Sequence, residues 1–155
     1  MCTSQAEWVT HSPEETKALA ARLAARLCVG DVLTLEGDLG AGKTTFSQGL
    51  ARGLGIADPI DSPTFTLIKE YHEGRIPLYH MDAYRLEGEP EELGWDEYFE
   101  GAGICLVEWA SRIEHWLPEG RIAILIRRLD ENSRHIQVRV PPEFGERLLK
   151  GLSVT

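Results

Sequence analysis

Eight consecutive residues, Gly37, Asp38, Leu39, Gly40, Ala41, Gly42, Lys43 and Thr44, match the pattern G-x-x-x-x-G-K-[ST] without a mismatch. The chemistry of that pattern is phosphate binding. Glycines at 37, 40 and 42 leave room for backbone N–H groups to turn inward around an anion, and a helix that begins here adds the positive end of its dipole. Lys43 supplies a point charge for β- and γ-phosphate oxygens, the Thr44 hydroxyl is the expected Mg²⁺ ligand, and Thr45 completes the nucleotide contacts at the helix start. The flanks give the pattern its force. Val32 to Leu35 reads as a short buried parallel strand, and Thr45 to Leu54 as a helix stopped at Gly55. A glycine-rich turn with an exposed lysine is the plainer alternative, and the strand, loop and helix order speaks against it.

A site for a Mg²⁺-nucleotide also needs an acid at the C-terminal end of a neighbouring strand, where ligands of open α/β sheets gather. Two stretches offer one: Leu78 to Asp82 and Ile104 to Glu108 each run an apolar strand into a carboxylate. One acid would hold the metal or its water shell while the other orients or deprotonates the attacking water; spacing leaves open which does which. Thr64, between the loop helix and the next strand, stands where a hydroxyl or backbone group can sense a γ-phosphate through the metal, with an ordinary Ser/Thr turn as the alternative. Trp109, directly after Glu108, either stacks near the nucleotide or a partner or belongs to the core. His80 reads as a satisfied structural histidine, and Arg85 as a salt bridge or a phosphate contact.

The elements that must position these residues follow from periodicity and punctuation. Ser12, Pro13 and Glu15 form a helix start with a capping box, and Leu19, Leu23 and Leu27 mark the buried stripe of a helix running towards Cys28. Phe65 to Tyr71 and Ile76 to Met81 read as a hairpin around His72 to Arg75. Glu87 to Glu100 carries seven carboxylates and no Lys or Arg, with Trp95, Tyr98 and Phe99 on one side. It reads as a solvated acidic helix with a packed aromatic face, or as a partner-docking surface. After the Ile104 strand come a short helix around Ser111 to Trp116, strands at Ile122 to Ile126 and His135 to Val140 turned at Asn132 and Ser133, and a short final helix over Pro142 to Leu152. The expected fold class is α/β: a phosphate-loop NTPase-like mixed sheet, with a parallel nucleotide-binding core and antiparallel strands, flanked by helices. Residues 1–155 are expected to form one domain.

Composition narrows the function classes. Sixteen basic against 25 acidic residues give a net charge of −9, which opposes a broad electrostatic grip on nucleic acid. Direct strong RNA binding is therefore not expected. Cys2, Cys28 and Cys105 form no C-x-x-C pair, so neither a disulfide frame nor a zinc site is indicated. No apolar run approaches the ~18 residues of a membrane span, and no signal-peptide layout is present, so a cytoplasmic protein is expected.

Taken together, Gly37 to Phe46, Ser62 to Leu67, His80 to Leu86, Pro90 to Leu93 and Leu106 to Trp109 closely resemble the bacterial TsaE (YjeE) family. The resemblance runs from the helix-one capping box to the strand after Pro118. It implies a small ATPase that binds ATP and Mg²⁺, associates with TsaB and TsaD, and supports addition of a threonylcarbamoyl group to the adenosine beside the tRNA anticodon. By position, Lys43 and Thr44 match the phosphate and metal residues, Thr64 the switch threonine and Asp82 the strand-end aspartate. Glu108 and Trp109 match the metal-linked glutamate and its neighbour, which places Glu108 ahead of Asp82 as the direct acid. Met81 and Ala83 depart from the family pattern, where Phe and a larger apolar residue are usual; both concern packing.

Two other functions compete with an ATP hydrolase. A nucleotide-gated binding module with incidental hydrolysis would use the acidic segment with Trp95 and Phe99 for docking. A small-molecule kinase would need an acceptor pocket and an Arg-bearing lid, and no lid-length insertion is visible. The absence of an Asn-Lys-x-Asp sequence disfavours a GTPase.

Overall fold

The computed structural model describes residues 4–37, 41–57, 68–84 and 94–153. Asp38, Leu39, Gly40, Thr64 and Arg85 of the expected site lie outside them, as does the acidic stretch before Gly94.

The first helix, α1 (Pro13–Ala24), starts as the capping box requires. Ser12 Oγ accepts the Glu15 N–H at 3.1 Å, while Glu15 Oε1 reaches back to the His11 N–H at 3.0 Å, one residue earlier than the usual partner. It ends four residues short of Cys28. Its stripe of Leu19, Ala20, Leu23 and Ala24 is fully buried.

Val32–Glu36 forms a strand that enters the phosphate loop, and Lys43–Gly53 forms helix α2 behind it. These two helices touch backbone to backbone. A Cβ on Gly49 would lie 2.5 Å from the Lys17 carbonyl oxygen, so only glycine permits this approach.

A strand that sequence reasoning did not foresee opens the described chain. Ser4–Thr10 is β1; Val32–Glu36 is β2, followed by β3 (Ile68–Tyr71), β4 (Leu78–Asp82), β5 (Ile104–Glu108), β6 (Ile122–Arg128) and β7 (Arg134–Val140). They form one seven-stranded sheet in the order β1-β7-β6-β2-β5-β4-β3. The β6-β2-β5-β4 core is parallel, and β3 and the β7-β1 pair join its two sides antiparallel. β1 alternates half-buried and exposed residues against β7, an edge signal too weak to stand out locally.

The sheet divides the core. On one face, Leu33, Leu35, Leu78, Leu106, Ile124 and Val138 pack under α1 and α2. On the other, Met81, Cys105 and Val107 pack with α3 (Trp95–Phe99) and the 3₁₀ segment Ala110–Trp116. Trp95 is 1% exposed and Phe99 8%. Tyr98 beside them is half-buried, so the described end of the stretch has the packed aromatic face, with Asp96, Glu97 and Glu100 facing solvent. The C-terminal segment is a 3₁₀ turn (Pro142–Phe144) and then α4 (Gly145–Leu149), tied to the start of β2 by Arg147, which bonds both oxygens of Asp31 at 3.0 and 3.2 Å. Among the described residues, no helix is long and apolar enough to cross a membrane.

Candidate functional site

Helix α2 begins at Lys43 because Gly42 turns the chain in the left-handed region, at φ +104°, which a side chain would strain. The first helical bond then runs from the Phe46 N–H to the Gly42 carbonyl at 2.9 Å, and Ser47 Oγ donates to the Lys43 carbonyl at 2.8 Å. Gly37 ends β2 against the Ile126 carbonyl, Ala41 is buried, the Thr44 side chain is exposed and Thr45 is half-buried. The described end of the loop thus presents a helix N-terminus, a lysine and a free-facing threonine, which suits an anionic ligand.

Strand order brings both strand-end acids to this place. Glu108 is the register partner of Leu35, two residues before the loop begins, and on its other side of Asp82. Leu78, His80, Asp82, Leu106 and Glu108 alternate on the sheet face that also carries Leu33 and Leu35, the face covered by α2. Both acids are buried, and a buried carboxylate needs partners. Asp82 Oδ1 accepts the Tyr84 N–H at 2.8 Å; Glu108 Oε2 lies 2.5 Å from His80 Nε2. The sequence expectation for His80 was half right. It is interior, yet its one hydrogen bond goes to a site acid and its Nδ1 has no partner among the described residues.

Trp109 is half-buried against the second core cluster and also reaches the helix start after the loop. Its backbone is left-handed at φ +58°, unusual for a bulky side chain, and strain of this kind concentrates at functional sites. Its indole lies under Lys43, with Nζ 4.0 Å from the ring centroid, and 4.8 Å from the Tyr84 ring on the other contact. Lys43, Glu108 and Trp109 therefore converge, with Asp82 beside them.

Sequence reasoning missed Arg134. From β7 its Nε lies 3.6 Å from the position a Gly42 Cβ would take, while Nη1 donates to the Asp130 and Ser133 carbonyls at 2.9 Å each. A small cavity of about 60 Å³ there is lined by Ser12, Pro13, Gly42, Thr45, Asn132 and Arg134. An arginine in an edge-side strand carries no local signal that it reaches the loop. A larger cavity, about 800 Å³, lies elsewhere, over Thr34, Ala123 and Arg139 on the opposite sheet face.

The donor set fits Mg²⁺ bound with a nucleotide better than a metal held by protein alone. Among the described residues, no three His, Cys, Asp or Glu side chains converge as a ready-made metal site. Mg²⁺ typically takes one or two protein oxygens and completes its shell with phosphates and water, and Thr44, Glu108 and Asp82 are the oxygens present.

A seven-stranded mixed sheet flanked by helices, with the Gly37–Thr44 pattern following its central strand and two acids at the ends of adjoining parallel strands, defines an α/β class of protein. The comparisons make this specific. The family model described as threonylcarbamoyl adenosine biosynthesis protein TsaE matches residues 10–136. A Bacillus subtilis (strain 168) protein named tRNA threonylcarbamoyladenosine biosynthesis protein TsaE is 56% identical over 149 residues, covering 96% of this chain and 94% of its own. A Nostoc relative of the same name is 50% identical over 132 residues, 81% of this chain and 80% of its own. The crystal structure of Bacillus subtilis YdiB superposes with a TM-score of 0.85 at 50% identity, covering 98% of this chain and 96% of that one. The chain belongs to the TsaE family.

Proposed function

We propose that the chain is a cytoplasmic, Mg²⁺-dependent ATP-binding and ATP-hydrolysing subunit that supports threonylcarbamoylation of the adenosine next to the anticodon in tRNA, acting with TsaB and TsaD. Family membership supports the pathway. The observation that carries the hydrolase reading is the position of Glu108, buried at the end of β5, in register with the strand that enters the phosphate loop and with Asp82.

Bound Mg-ATP supplies the activated γ-phosphoryl bond, whose transfer needs positioning and charge stabilisation more than covalent help from protein. Loop N–H groups from Gly37 to Thr45 and the Lys43 ammonium would hold the phosphates. Thr44 would hold the metal. Glu108 would take up the proton of the attacking water or order the water shell, with Asp82 as the second acid, and Thr64 would sense the γ-phosphate. tRNA is reached through the partners, in keeping with the net charge of −9. The test is Glu108→Gln: nucleotide binding should persist, hydrolysis should fall by ~10²-fold or more, and multi-turnover tRNA modification with the partners should fail. Modification at full rate without hydrolysis would count against this reading.

That outcome would favour a nucleotide-gated interaction module instead. One feature supports it: Tyr84, 47% exposed, stacks on the indole that lies under Lys43, which connects the loop to the surface by aromatic contact.

A further inference from the structure

His80 and Glu108 are diagonal neighbours across β4 and β5, since Leu106 is the register partner of His80 and Glu108 that of Asp82. Their side chains are 1% and 6% exposed, and the Nε2 to Oε2 distance of 2.5 Å is short for a nitrogen–oxygen hydrogen bond. Shielded from water, such a contact is strongly directional. The imidazole's single bond is made to the acid that lies beside the phosphate loop.

We infer that His80 is a positioning residue for Glu108: its Nε2–H holds Oε2, fixes the carboxylate in one rotamer and leaves Oε1 as the oxygen offered to water or to the metal's water shell. Without the imidazole, the Glu108 side chain regains rotamer freedom and the reacting geometry is sampled less often. His80 is buried and its side chain bonds Glu108, so nucleotide affinity should be nearly indifferent to it. The inference rests on the reading of Glu108 as the water-ordering acid.

Three variants separate positioning from packing. His80→Leu removes the donor while filling the space, His80→Gln restores an amide N–H near the Nε2 position, and Glu108→Gln removes the carboxylate. In single-turnover hydrolysis, His80→Leu should be about 10- to 100-fold slow, as for outer residues that orient a ligand, with Mg-ATP affinity within about threefold of wild type. His80→Gln should recover most of the rate, and His80→Leu should add nothing in a Glu108→Gln background. In the nucleotide-free protein, proton NMR should show a low-field imidazole N–H resonance that disappears in His80→Gln and moves in Glu108→Gln. Should His80→Leu fail to fold, His80→Asn, whose amide falls near the Nδ1 position, takes its place and should be slow where His80→Gln is active. Wild-type hydrolysis by His80→Leu, or equal loss in His80→Gln and His80→Leu at native melting temperature, would overturn the inference. Wild-type hydrolysis by Glu108→Gln would instead overturn the reading of Glu108, and is told apart because the imidazole resonance would still move.

Discussion

Lys43 rests 4.0 Å above the Trp109 ring, an arrangement worth about 0.5–2 kcal/mol. Charge-assisted bonds to phosphate are stronger, at about 1.5–3 kcal/mol each, so a nucleotide can draw the ammonium off the indole. Two measurements follow from this. Lys43→Ala should lose ~10- to 100-fold in ATP affinity with an unchanged circular dichroism spectrum, since the lost bond is to ligand and not to the core. ATP should also bind more tightly than GTP when titrated against tryptophan fluorescence, and the reverse order would exclude an ATP-specific site. A contrast between cysteines tests burial independently. Desolvation pushes the Cys105 thiol up to about 12, whereas Cys28 is exposed. Alkylation at pH 8 followed by mass spectrometry should therefore mark Cys28 and spare Cys105 until the protein is unfolded, because only the thiolate reacts.

At the scale of elements, α1 packs closely on α2, the helix that follows the loop. Gly49 lets the two backbones meet at the Lys17 carbonyl, so Gly49→Ala should overpack the interface and cost about 1–3 kcal/mol, read as a lower urea midpoint. Ser12→Ala removes the side-chain acceptor of the Glu15 N–H and should cost about 1 kcal/mol by the same measurement. Both helices were readable in advance because a 3.6-residue stripe and a cap are local signals. α1 nevertheless stops at Ala24 rather than near Cys28, and β1 went unread, its alternation of half-buried and exposed residues being hard to tell from a surface segment until β7 is beside it. For α3, helical spacing placed Trp95 and Phe99 on one side correctly. It could not say whether that side met the sheet or a partner.

For the whole molecule, one sheet carries the site, and the outer strands close it. Arg147 fastens the C-terminal helix to Asp31 at the foot of β2, the strand that leads into the loop, and also donates to the Arg26 carbonyl at 2.9 Å. Partner capture with the full chain, with and without ATP, should recover the other subunits of the tRNA-modifying assembly, and capture of none in either condition would count against the proposed partnership. The phosphate loop, its strand and helix, and the two strands that end in acids were all evident from residue order, since each depends on spacing within about twenty residues. The neighbourhood was not. That Glu108 stands between Leu35 and Asp82, that His80 bonds Glu108, that Arg134 reaches Gly42 and that Trp109 lies under Lys43 all depend on the order β7-β6-β2-β5-β4 and its register. Strand order and register arise from pairing between distant parts of the chain and from which faces can be buried together, and no local pattern in the residues encodes that choice.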